Sequence, residues 1–202
     1  MNLPRDWGHS KVRIAIGPHP DIQWALDAIR ATGNEPATIQ DCEGLIWTSV
    51  STSRLPFVLE AATNLKWIQI LPAGVEGFRE FFADGRQWTS AKGAYGEPVA
   101  EHALALILAG LRMLKRASLA RSWDPLPSST LFGKSITIVG GGGIAAALVD
   151  LLKPFRVQVT VVRRTTELNE GASTTLRHSN LHEGIATAEV VVLALAITSD
   201  TV

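Results

Sequence analysis

Ile136-Thr137-Ile138-Val139-Gly140-Gly141-Gly142-Gly143-Ile144-Ala145 is the stretch on which the reading of this chain turns. A short, β-branched, uncharged run meets four consecutive glycines and passes into Ala146-Ala147-Leu148-Val149, an order that predicts strand, tight turn and helix. Within it Gly140-x-Gly142-x-x-Ala145 fits the dinucleotide-binding fingerprint in its variant with Ala at the third small position. A pyrophosphate needs a turn that ordinary side chains would strain, a backbone open to close approach, and free helix N–H groups. Gly140 suits the turn and Gly142 the approach, Ala145 lets the helix lie close to its strand, and Gly143 and Ile144 open the helix. The bland reading of the same glycines is a flexible turn with no ligand. Context favours the functional one: beyond Pro154, Val157-Gln158-Val159-Thr160-Val161-Val162 supplies a second strand and with it the βαβ setting.

At the end of that second strand an NAD-binding unit commonly carries an Asp or Glu for the ribose hydroxyls, roughly 20 residues after the first glycine. This chain has Arg163 and Arg164 there, followed by Thr165 and Thr166. Two guanidinium groups suit a 2′-phosphate, because each charge-assisted hydrogen bond is worth ~1.5–3 kcal/mol. The expectation is NADP in preference to NAD; the alternative is a pair of solvated arginines at a strand end.

The chain of 202 residues can bury a sizeable core, as one large domain or two small ones. Its 19 basic and 19 acidic residues cancel without long blocks of either sign, which argues against nucleic acid and anionic membranes as partners. Cys42 is the one cysteine, with no partner for a disulfide, a CxxC pair or a zinc pattern, and a reducing cytoplasm is the compartment expected. No metal site is expected. The first residues lack the apolar core of a signal peptide, and the apolar run Ala103 to Leu111 is too short for a bilayer, which takes ~20 residues.

In chain order, Val12 to Ile16 reads as a strand, Asp21 to Thr32 as a helix, Leu45 to Thr48 as a strand, Leu59 to Ala62 as a short helix, and Lys66 to Ile70 as a strand. Strands alternating with helices predict a parallel α/β sheet. After Ile70, the backbone N–H groups of Ala73, Gly74 and Val75 form a candidate nest for a small carboxylate, although an Ala-Gly pair after a strand is also an ordinary turn. Val75 to Phe82 reads as a helix burying Phe78, Phe81 and Phe82. Pro98 to Arg121 is the longest helical pattern, with Glu97 and Glu101 at its positive end and Lys115, Arg116 and Arg121 at its negative end. Its apolar centre predicts cover on every side. Ser122 to Thr130 is a linker, Thr175-Leu176 belongs to a short strand, and Ala188 to Leu195 is a further one.

Several of these stretches together resemble the D-isomer-specific 2-hydroxyacid dehydrogenases. They are Leu65-Lys66-Trp67-Ile68-Gln69 with Ala73-Gly74-Val75-Glu76, Val99-Ala100-Glu101-His102-Ala103-Leu104-Ala105-Leu106, Leu131-Phe132-Gly133-Lys134-Ser135-Ile136, the glycine turn, and Ala188 to Thr201. The resemblance implies a flavodoxin-like substrate domain over 1–97 and a Rossmann domain over 98–202. It implies hydride transfer between a nicotinamide and C2 of a small 2-oxo or 2-hydroxy acid, and a homodimer built on the helix over 98–121. It also implies that Ala73, Gly74 and Val75 hold the substrate carboxylate and that Leu195, Ala196 and Thr198 face the nucleotide. Glu76 stands where the family more often has Asp, and Ala196 where it usually has Pro.

Family members carry a substrate-gripping Arg, a general-acid His and a Glu that orients it on segments after the fourth Rossmann strand. This chain ends one loop after that strand, so a C-terminally shortened Rossmann domain without its catalytic residues is the expectation, with Val190 to Leu195 left as an apolar edge. His9, His19, His102, His178 and His182 are read as structural or solvated, and no catalytic residue is assigned. Two functions therefore stand side by side: an oxidoreductase inactive as this chain, or a non-catalytic NAD(P)-binding regulator of the same fold.

Overall fold

Gly44–Trp47 (β3) and Trp67–Ile70 (β4) are the sheet interior of the N-terminal unit, and their apolar, β-branched and aromatic composition explains why. The computed structural model describes residues 11–165, 170–196 and 201, and the chain forms two units, Met1–Lys92 and Gly93–Val202. In the first unit Arg13–Gly17 (β1) and Glu35–Pro36 (β2) join β3, β4 and Gln87–Ser90 (β5) in a parallel sheet of order β2-β1-β3-β4-β5. That is the flavodoxin-like order, in which the direction of winding reverses between β1 and β3.

The period-2 alternation of strands divides the core into two layers. Ile14, Ile16 and Trp67 pack with Ala25 and Ile29 of the helix Gln23–Ala31 (α1). Ala15, Leu45, Trp47, Ile68 and Ile70 pack on the opposite face with Leu55 and Leu59 of the helix Leu55–Ala61 (α2) and with Phe78. The α2 helix begins four residues before the expected Leu59, and Pro56 fits its first turn. The aromatic segment expected as an α-helix is instead a 3-10 stretch, Glu76–Asp84. Phe78 alone is fully buried there, with Phe81 and Phe82 half-buried against Trp88.

The second unit holds Ser135–Val139 (β6), Gln158–Arg163 (β7), Thr174–Arg177 (β8) and Val190–Leu193 (β9), all parallel in the order β8-β7-β6-β9. This is the Rossmann arrangement about its first strand. The helix Gly143–Leu152 (α5) shares one core with Gly96–Leu111 (α3), in which Ala100 and Ile107 lie with Ala145, Leu148, Val149 and Leu152. Leu181–Ala186 (α6) is held to β6 by the buried Thr137 hydroxyl, which donates to the Gly184 carbonyl at 2.5 Å.

The single helix expected over 98–121 is two. It runs from Gly96 to Leu111, breaks where Met113 takes φ 54, and resumes as Leu114–Leu119 (α4). The break is matched by a contact from outside the helix: the Ser129 N–H returns to the Leu111 carbonyl at 2.8 Å, so the end of α3 is satisfied without further helix. Glu97 lies in the first turn of α3 as expected, but its last turn holds no basic residue, and Lys115 and Arg116 belong to α4. Within the single chain Leu106 is 60% exposed, so the apolar centre of α3 is not covered all round by the described residues of its own chain. No described helix is long and apolar enough to cross a membrane.

Candidate functional site

The glycine turn is built from its neighbours. The Gly140 N–H donates to the Val162 carbonyl at 2.8 Å, and the Ala194 N–H donates to the Val139 carbonyl at 2.8 Å, so the ends of β7 and β9 both fasten the end of β6. Gly140 takes φ +116, and a Cβ on it would collide with the Ala194 carbonyl. Only glycine meets both demands. This contact brings the backbone of Leu195 to the turn, where a Cβ on Gly140 would lie 3.3 Å from the Leu195 nitrogen.

Gly142 is the N-cap of α5 and supplies no capping side chain. The first intrahelical bond around it is Ala146 N–H to the Gly142 carbonyl at 3.1 Å, so the preceding N–H groups at Gly143, Ile144 and Ala145 have no helical acceptor. No acidic residue lies in the first turn to compete for them. Space above Gly142 and Gly143 is open: a Cβ on either would meet nothing within 4 Å, which leaves the backbone clear for a phosphate. Ala145 is wholly buried against the core. A dinucleotide pyrophosphate fits this donor set in charge and access.

Arg163, the last residue of β7, is half-buried, and its side chain lies along Gly141; Arg164 and Thr165 follow, both exposed. No described carboxylate pairs with either arginine. Ala196 is exposed, and its carbonyl accepts from the Thr201 hydroxyl at 2.8 Å. Thr198 and Thr166 lie outside the described residues.

In the first unit, Ala73, Gly74 and Val75 follow β4 as a loop, the first two exposed. None of their three N–H groups donates to a described group. The sequence gives no hint of how the next residue behaves: Glu76 folds back, and its Oε2 comes within 2.5 Å of where a Gly74 Cβ would stand. The end of β4 is braced by a buried polar chain that was also not anticipated. Trp67 Nε1 donates to Thr89 Oγ1 at 2.8 Å, Thr89 donates to Gln69 Oε1 at 2.8 Å, and Gln69 donates to the Ile70 carbonyl at 2.8 Å. Its signal was a glutamine inside an otherwise apolar strand.

Trp47, a candidate for the substrate side on its strand-end position, is fully buried core, and its indole donates to the Ser51 carbonyl at 3.2 Å. Thr48 donates to the Gly17 carbonyl at 3.0 Å, and Tyr95 is partly exposed just before α3. The described histidines, His19, His102, His178 and His182, are all exposed. His178 directly follows β8, which is separated from β6 by β7, two strand spacings or about 10 Å.

Residues 103–202 match the model of the D-isomer specific 2-hydroxyacid dehydrogenase NAD binding domain. The chain is 34% identical over 146 residues to an uncharacterized protein from the proB 3′ region of Corynebacterium melassecola, covering 68% of this chain and 48% of that protein. It thus spans about half the length of this relative. Among solved structures, a D-isomer specific 2-hydroxyacid dehydrogenase family protein from Aeromonas salmonicida superposes with a TM-score of 0.80 at 22% identity, over 95% of this chain and 66% of the other. A D-isomer specific 2-hydroxyacid dehydrogenase from Xanthobacter autotrophicus, solved with NADPH, gives 0.75 at 19% identity, over 95% and 66%. At these identities the structures establish the fold.

Proposed function

Because residues 103–202 belong to the D-isomer-specific 2-hydroxyacid dehydrogenases through their NAD-binding domain, we propose that this chain binds a nicotinamide dinucleotide as part of an oxidoreductase acting on a small 2-oxo or 2-hydroxy acid. The observation that carries this is the uncapped first turn of α5 behind a glycine turn that no other residue could make. When bound, the nicotinamide supplies or accepts the hydride at C2. The chain's own part is to hold phosphate on Gly142, Gly143, Ile144 and Ala145, with the Leu195 backbone bordering the turn and Ala196 following it in sequence. Arg163 and Arg164, unopposed by described carboxylates, favour NADP over NAD. The free N–H groups of Ala73, Gly74 and Val75 suit the carboxylate of the acid.

Reduction of a 2-oxo acid also needs a proton delivered to the developing alkoxide. With the exposed His102, His178 and His182 read as structural or solvated, the 202 residues alone bind cofactor without turnover. The same observation supports the second reading, a non-catalytic NAD(P)-binding regulator. Titration calorimetry with NADP and NAD tests the binding: NADP should bind more tightly, and no heat from either would end the proposal. NADPH oxidation assayed on glyoxylate and hydroxypyruvate, with this chain and with a longer one, separates enzyme from regulator.

We further propose that the protein pairs with a second copy through the segment over 98–121. Leu119 is 73% exposed and Trp123 fully so, beside a cavity of about 660 Å³ lined by Met113, Leu119 and Leu126. Analytical ultracentrifugation should find a dimer; a monomer at micromolar concentration would overturn this.

A further inference from the structure

The geometry points to Gly141 as a specificity-determining position, acting through Arg163; the inference rests on the NADP reading above. Four glycines stand in the turn, and three have an evident role. Gly140 makes the left-handed bend, Gly142 caps the helix, and Gly143 opens its first turn. Gly141 does none of these. Its φ lies outside the left-handed region, so its backbone asks for no glycine, and the fingerprint leaves this position free for any residue.

What requires glycine at 141 is the Arg163 side chain. A Cβ built there would lie 2.8 Å from Arg163 Cδ, 2.9 Å from its Nε and 3.0 Å from its Cβ. The first two atoms belong to a flexible chain, but Arg163 Cβ is fixed to the end of β7 and cannot swing away without moving the strand. The arginine therefore lies flat along the turn only because position 141 is bare. A long side chain held in this way has already given up much of its rotamer freedom, so less is lost when its guanidinium meets an anion. The strand end that Arg163 occupies is where the adenosine ribose of a dinucleotide arrives, and a 2′-phosphate there would meet a donor already in place. A side chain at 141 displaces that donor, whereas the bend at Gly140 and the uncapped first turn of α5 are made by other residues.

The test is a pair of single variants and their combination, Gly141→Ala, Arg163→Ala and the double, each titrated with NADP and with NAD in the full chain. Gly141→Ala should weaken NADP about tenfold or more and leave NAD within about twofold, the retained NAD affinity showing that the fold is intact. Adding Gly141→Ala to Arg163→Ala should cost nothing further, because both remove the same donor. Equal losses for the two cofactors, an unchanged NADP affinity, or losses that multiply in the double variant would each overturn the inference while leaving NADP binding by the arginine pair standing. A wild-type chain that binds NAD as well as NADP would show instead that the earlier reading has failed, and this inference would fall with it.

Discussion

The loops after β6 and after β4 each follow a parallel strand and contain glycine, yet they present opposite faces to an anion. The loop after β6 bends at Gly140 with φ +116, is fastened by the ends of β7 and β9, and runs into the ten-residue helix α5 whose first turn carries no acidic residue. The loop after β4 has no left-handed glycine, runs into a 3-10 stretch, and lays the Glu76 carboxylate across Gly74. A glycine after a strand therefore identifies a turn, and the residues after it decide the charge the turn will accept. Phosphate, at high charge, suits the first loop; the second suits only a ligand able to coexist with or displace Glu76.

The contrast can be broken most violently at Gly140. Gly140→Ala combines left-handed strain with a collision against the Ala194 carbonyl, and it should cost about 3 kcal/mol or more in urea unfolding and abolish the calorimetric heat of NADP binding. Unchanged binding would mean that the turn is not the phosphate site. Next in size, the double change Arg163→Ala with Arg164→Ala should lower NADP affinity roughly 10²- to 10⁴-fold while sparing NAD, since each charge-assisted bond lost is worth ~1.5–3 kcal/mol. If both cofactors weaken alike, the arginines are reading something other than the 2′-phosphate.

A smaller effect sharpens the comparison from the other side. Glu76→Gln removes a like charge from the loop over Gly74, and oxamate, a stable analogue of a 2-oxo acid, should bind about two- to fivefold more tightly, the size expected of one solvent-screened charge. Weaker oxamate binding would make Glu76 part of the ligand's grip.

The smallest effect belongs at the opposite end of the Rossmann sheet. The Glu189 carboxyl is held below the usual carboxylate range, chiefly by the hydrogen bond from Lys134 at 2.6 Å and then by the Ser135 N–H at 3.0 Å. A carboxyl depressed in the folded state stabilises it above the ordinary value of about 4.5, and that contribution is lost as pH falls through the lowered one. Glu189→Gln should lower the melting temperature slightly at neutral pH, the gap closing in acid, with cofactor binding untouched. A gap that persists at pH 2 would show that the side chain acts by packing.

Much of the fold was legible because β1, β3, β4, β6, β7 and β9 are runs of apolar or β-branched residues, which few structures other than a buried parallel strand can use. Glu35–Pro36 and Gln87–Ser90 escaped because short strands at the sheet's two edges need no such run. The break at Met113 escaped for a different reason: no proline marks it, Gly110 lies inside α3 rather than after it, and the Ser129 N–H that satisfies the helix end comes from a residue far along the chain. The aromatic spacing at Phe78, Phe81 and Phe82 serves a 3-10 stretch as readily as an α-helix. At the site, the positions of the glycines could be read directly. The fold-back of Glu76 and the seat of Arg163 over Gly141 could not, because both depend on where side chains meet in space.

The position of β6 between β7 and β9 has a consequence for biosynthesis. Its second neighbour lies 54 residues later in the chain, Ile136 pairing with Val190. At ~5–20 residues per second, a ribosome takes roughly 3 to 10 s to make that partner after β6 has emerged. Through that interval one edge of the most buried strand of the sheet stands open to other nascent chains, and chaperone supply, more than final stability, should govern the yield of native protein in cells.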